Sequence, residues 1–154
     1  MRFRLKTWSV SHARLMRRFY ILFEQLLFSL FPLWRLIGFK RIGPLITSVE
    51  KNIKKFLFDC QMCGHCVLDK TGMSCPMNCP KQLQNGPCGG VRIDSMCEVD
   101  GSMRCVWVEA WRGLSLLGTT ADPDHINPPV DHLLQGRSSW LSIAFHQNPP
   151  RPQK

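Results

Sequence analysis

The greasiest part of this chain, residues 15–39, lacks an uncharged run long enough to cross a bilayer. Its longest, residues 25–34, is about half of the roughly 20 residues that a spanning helix needs. The first 18 residues contain no acid, only Arg2, Arg4, Lys6, Arg14, Arg17 and Arg18 as charges. No small-residue cleavage site follows, and Glu24 and Arg35 interrupt the apolar stretch, so no secretory leader is expected. With it goes the main argument for a disulfide framework, which belongs to secreted chains. The sequence also lacks a phosphate-binding glycine loop, a nucleophile–base pattern and a convincing internal repeat. His12, His125, His132 and His146 are scattered. At 154 residues it has no room for a fold as large as a TIM barrel of about 250 residues, so any large catalytic fold is expected from a partner.

Cysteine is absent everywhere except between positions 60 and 105, where all eight fall. They read Cys60-x2-Cys63-x2-Cys66, Cys75-Pro76, Cys79-Pro80, Asn85-Gly86-Pro87-Cys88-Gly89-Gly90, Cys97 and Cys105. A short segment without a long apolar run cannot bury enough surface to fold alone and needs a staple. Iron–sulfur cubanes take four thiolates each, and three cysteines at two-residue intervals plus a remote Cys-Pro is a recurrent arrangement. Tetrahedral zinc also takes four. Eight thiolates satisfy two centres of either kind. The close run of three favours two [4Fe-4S] clusters, two zinc ions remain the alternative, and the order of the ligands does not say which share a centre. Two decoys lie in the same run. Cys63-Gly64-His65-Cys66 copies a redox dithiol string, but outside a βαβ setting and beside further cysteines. His65 can replace a thiolate, although eight cysteines leave no need for it. Met62, Met73, Met77, Met96 and Met103 read as soft packing around the ligands.

The net charge of +9 is uneven. Residues 1–59 hold 12 Lys and Arg against 3 acids, whereas residues 60–105 and 106–154 each hold 4 against 4. A basic arm this rich in Phe, Leu and Trp does not suit a nucleic-acid tail, and nucleic acid is not the expected partner. It reads first as an amphipathic helix packed on its own core or a partner subunit. Second, it reads as an interfacial membrane helix, and third as an organellar transit segment. Residues 11–31, free of Gly and Pro, predict one helix that Pro32 stops. Gly38 and Gly43-Pro44 predict a break. A second helix is predicted from Pro44 to about Phe58, with Leu45, Val49, Ile53 and Phe56 on one face and the pair Glu50 and Lys54 on the other. Residues 106–117 predict a short helix with Trp107 and Trp111 on one side, covering the metal module. After Gly118 the composition predicts a largely disordered tail.

The motif from Cys60 through Cys75-Pro76-Met77 and Cys79-Pro80-Lys81 to Asn85-Gly86-Pro87-Cys88-Gly89-Gly90, Cys97-Glu98-Val99 and Cys105-Val106-Trp107 resembles the cysteine-rich C-terminal domain of methylenetetrahydrofolate reductases. In acetogens and related bacteria that family also occurs as a separate small subunit beside a flavin-bearing TIM-barrel subunit. The resemblance covers roughly residues 45–113. It implies a metal-bearing accessory subunit in one-carbon metabolism, supporting electron transfer or assembly. Cys60, Cys63, Cys66, Cys75, Cys79, Cys88, Cys97 and Cys105 are its candidate ligands. Flavin, folate and nicotinamide sites belong to the barrel and transfer to no residue here. A structural zinc-binding interaction module without redox role is the alternative.

The expected architecture is thus a small, irregular, metal-stabilised cysteine-rich module preceded by α-helices, with little regular sheet. Residues 1–44 form a basic helical extension, 45–113 a helix plus the eight-cysteine module, and 114–154 the tail. The expected location is cytoplasmic, with residues 1–44 as the part able to reach a membrane surface.

Overall fold

A computed structural model describes residues 2–30, 39–118 and 126–147 of the chain. The helix stop expected at Pro32, the break at Gly38, and residues 119–125 and 148–154 of the tail lie outside these. Five α-helices are described: α1 (Arg2–Ser11), α2 (Ala13–Ser29), α3 (Phe39–Phe58), α4 (Val106–Leu117) and α5 (Ser139–Gln147). Among the described residues the only β pairing is one isolated bridge, Met96 with Arg104, as the expectation of little sheet requires.

The helix expected over residues 11–31 is present as α2, and a further helix, α1, precedes it. A turn at His12 separates α1 from α2, yet the ladder continues through it, with His12 N donating to Trp8 O and Met16 N to His12 O. The break expected at Gly43-Pro44 is also not present. Helix α3 starts at Phe39 and runs through Pro44. Proline removes one ladder donor there, and the Thr47 hydroxyl donates to Gly43 O at 2.9 Å in the same turn. Helix α4 ends where Gly118 takes the left-handed conformation, φ 70°, a standard C-terminal stop.

Helix α1 packs on α3 and α4, α2 on α4 and α5, and α3 on α5. Polar ties fix these contacts. Ser9 Oγ donates to Leu57 O at 2.8 Å, Lys6 pairs with Asp59 at 2.6 Å, and Arg112 Nη2 donates to Thr7 O at 3.1 Å. One buried cluster joins the helices to the cysteine segment through Ala13, Phe58, Leu68, Met73 and Cys75. A second gathers Cys105, Trp107 and Ala110, with Val91 and Val108 against it. Two close backbone approaches set the helix-to-loop distance. A Cβ on Gly113 of α4 would stand 2.0 Å from Gly72 O, and a Cβ on Gly86 would stand 2.4 Å from the Trp107 ring.

Residues 126–147 are not the loose segment that their composition predicts. Asn127 N donates to Asn85 Oδ1 at 2.8 Å, and Gly136 N donates to Met62 O at 2.8 Å. A 3₁₀ turn at His132–Leu134 is capped by Asp131, whose side chain accepts from Leu133 N. Helix α5 then buries Trp140 to 6 % exposure. One tryptophan and a set of side-chain amide and backbone bonds hold this return in place. The two indoles of α4 also part company: Trp107 is buried and Trp111 is 52 % exposed. Four helical residues advance the side chain by about 40° beyond a full turn, enough to carry Trp111 off a narrow contact arc.

Candidate metal centre

Helix α3 delivers the chain to Cys60, and the backbone there turns sharply. Asp59 and Met62, on either side, both lie in the left-handed region, φ 53° and 52°. Non-glycine residues seldom adopt it, and each instance costs about 1–3 kcal/mol unless surrounding contacts hold it. Here the turn aims the Met62 N–H at Cys60 Sγ, 3.3 Å away. It also brings Cys60, Cys63 and Cys66 round one cavity, which Cys75 closes from the start of the next turn. Four of the eight cysteines thus line one cavity. The space they enclose is about 30 Å³, room for about two waters.

The thiols contact one another across it. The Cys75 thiol donates to Cys60 sulfur, and this bond, ahead of the opposing effect of burial, pulls Cys60 down to about 7. Cys75, the donor, is pushed well above the ordinary thiol value by that same bond and by burial. Burial also raises Cys63. Among the described residues no group of three or more His, Cys, Asp or Glu side chains stands close enough, as they lie, to hold a metal ion. In donor chemistry the set fits one: four thiols, with the carboxylate in the lining, Glu50, already paired with Lys54, which suits Cys₄ zinc or a cubane alike.

Cys79, Cys88, Cys97 and Cys105 lie outside this lining. Cys79 ends the 3₁₀ turn Pro76–Asn78, and Cys105 is buried beside Trp107 at the start of α4. Cys88 Sγ is 3.9 Å from Glu98 Oε1. Cys97 N donates to Met103 O beside the Met96–Arg104 bridge. The structure does not bring these four to one point. His65 also lines the first cavity, where its carbonyl accepts from Cys63 Sγ at 3.2 Å.

Sequence reading missed the polar wall of the cavity. Glu50 and Lys54, expected on the face away from the apolar residues of their helix, are 1 % and 2 % exposed. Lys54 Nζ donates to Glu50 Oε1 and to Ser139 Oγ, both at 2.7 Å. Ser139 Oγ donates to Glu50 Oε1 at 2.5 Å, and the Ser138 hydroxyl donates to Glu50 Oε2. The ammonium also sits over the rings of Trp140 and Tyr20, 4.8 and 5.4 Å from their centroids. Burial opposes its charge, but Cys66 and Glu50 outweigh burial and hold its pKa above the usual lysine value. Tyr20, from α2, lies against Cys66 and is driven upward by burial and by that neighbour. A helix wheel carries part of this signal, since it sets Glu50 and Lys54 together; it does not say which side is inward.

Residues 39–133 match the family described as methylene-tetrahydrofolate reductase C terminal, a span that contains all eight cysteines, α3 and α4. No curated protein and no solved structure matches the chain.

Proposed function

The chain belongs to the methylenetetrahydrofolate reductase C-terminal family, and on that premise we propose that it is a metal-bearing accessory module of a methylenetetrahydrofolate-reductase-type assembly. The observation that carries this reading is the convergence of Cys60, Cys63, Cys66 and Cys75 on one cavity inside the family segment. In it those four hold one centre, and Cys79, Cys88, Cys97 and Cys105 serve a second. The close triplet favours [4Fe-4S], which supplies one-electron transfer when bound. The partner is a flavin-containing barrel subunit, and this chain contributes no catalytic residue of its own.

Within the proposal the residues have distinct tasks. The left-handed turn at Met62 orients Cys60 and Cys63, while Met62, Leu68 and Met77 keep water away from the sulfurs. The Met62 N–H donates to Cys60 sulfur, and bonds of that kind orient ligands and tune a centre. Lys54 places a buried cation in the wall facing anionic thiolates.

A second reading, structural zinc, has the small size of the cavity in its favour. Anaerobic purification with analysis for iron, sulfide and zinc, and a visible spectrum before and after dithionite, separates the two. About eight irons and eight sulfides with a colour that bleaches support the cluster reading. About two zincs without colour support an assembly module. A chain with none of these metals refutes both.

A further inference from the structure

Two helices turn apolar sides to solvent. On α2, Leu15, Phe19, Leu22 and Leu26 are spaced four, three and four residues apart, one stripe at the helical repeat. On α3, Leu45, Val49, Ile53 and Phe56 form another. All eight side chains are between 41 % and 66 % exposed. The stripes border a common apolar groove of about 360 Å³, with Phe19 on the α2 side, Ile53 on the α3 side, and Tyr20, Phe23 and Trp140 lining it. Contiguous apolar surface on this scale marks an interaction site.

Charge identifies the occupant. Of the three acids before Cys60, Glu50 is buried, Asp59 pairs with Lys6 and Glu24 is half-buried. No acidic side chain is exposed among the described residues from 5 to 58. Arg18 on α2 and Arg41 on α3 are exposed about 40° from the nearest stripe residue, and Lys55 is exposed further round α3. An apolar face with a purely cationic border complements an anionic bilayer: the apolar side chains enter the acyl boundary, and the long basic ones stay at the headgroups. No helix among the described residues is long and apolar enough to cross a membrane, so the contact lies along the surface. A protein covering the same face would need an acidic rim shaped to two helices and a groove, whereas a lipid surface moulds itself to them. We infer that the α2–α3 face docks on an anionic phospholipid membrane, with Leu22 and Phe56 among its apolar anchors and Arg18, Arg41 and Lys55 at the lipid phosphates.

The test is flotation of the full chain, purified anaerobically, with vesicles of phosphatidylcholine alone and of equimolar phosphatidylcholine and phosphatidylglycerol. Wild type floats with the anionic vesicles, stays behind with the neutral ones, and is released by salt. Leu22→Gln with Phe56→Gln lowers the bound fraction about tenfold or more. Arg18→Gln with Arg41→Gln lowers it about tenfold. The comparison of the two vesicle types on wild type needs no variant and is immune to any loss of fold. Failure to float on either vesicle, equal flotation on both, or unchanged flotation of both variants overturns the inference. Loss of binding to the barrel subunit in the Leu22 and Phe56 variant, with wild type indifferent to lipid, assigns the face to that protein instead. None of these results depends on which metal the chain holds, so the metal proposal stands or falls separately.

Discussion

Lys54 Nζ lies 2.7 Å from Ser139 Oγ, across 85 positions of sequence. The bond ties α3 to the start of α5, and Glu50 accepts from both partners and from Ser138. Removing one member of a buried pair strands the other, at a cost of about 3–5 kcal/mol. Glu50→Leu is expected to lose that much in chemical denaturation. The double change Glu50→Leu with Lys54→Met leaves no uncompensated charge and recovers most of the loss. Equal destabilisation of single and double variants would show that packing, not charge, is at stake.

Cys60 is expected to be more reactive than Cys63 and Cys75 in the reduced, metal-free chain near neutral pH. Its thiolate is favoured by the Cys75 donor, which places half-ionisation at about pH 7, while Cys63 and Cys75 are shifted upward. Alkylation resolved by peptide mapping checks the order: Cys60 labels ahead of Cys63 and Cys75, with a midpoint near pH 7. In Cys75→Ala the donor is gone, the thiolate loses stabilisation, and the midpoint moves to higher pH. A midpoint that stays put removes the hydrogen bond as the cause.

The contact of Gly72 with Gly113 admits no side chain. An added Cβ at Gly113 meets backbone at 2.0 Å, and backbone cannot swing aside as a flexible side chain does. Gly113→Ala is expected to cost about 1–3 kcal/mol, read as a lowered thermal midpoint. Gly89, with nothing within 4 Å of the corresponding position, is the control, and Gly89→Ala stays within about 0.5 kcal/mol.

Ligand partition is testable by content. Cys66→Ala is expected to remove about half of the bound metal and Cys97→Ala the other half, each leaving one centre behind. Loss of all metal from either variant means that the two sets fold as one unit.

The cysteine segment and the helical character of α2, α3 and α4 were legible in spacing alone. What spacing does not carry is direction. Leu45, Val49, Ile53 and Phe56 do share a face, but it is the exposed one, and Glu50 with Lys54 is the buried one. Periodicity says which residues stand together, and only the neighbours say which group they cover. Ser138 and Ser139 were unreadable for a related reason: their partners come from α3, and a Pro- and Asn-rich approach looks loose until Trp140 is seen in place. The grouping of Cys75 with Cys60, Cys63 and Cys66 depends on Met62 taking a conformation that no propensity predicts. Cys79 through Cys105 yield no comparable grouping.

Lys54 lines both the cysteine cavity and the apolar groove between α2 and α3. A single side chain is therefore a shared wall between an inorganic compartment and a greasy one. Thermodynamic linkage makes any coupling across such a wall reciprocal: the factor by which an occupant of the groove changes the affinity of the thiol site is the factor by which filling the thiol site changes that of the groove. The lysine that would carry such a coupling faces neither water nor an exposed acid.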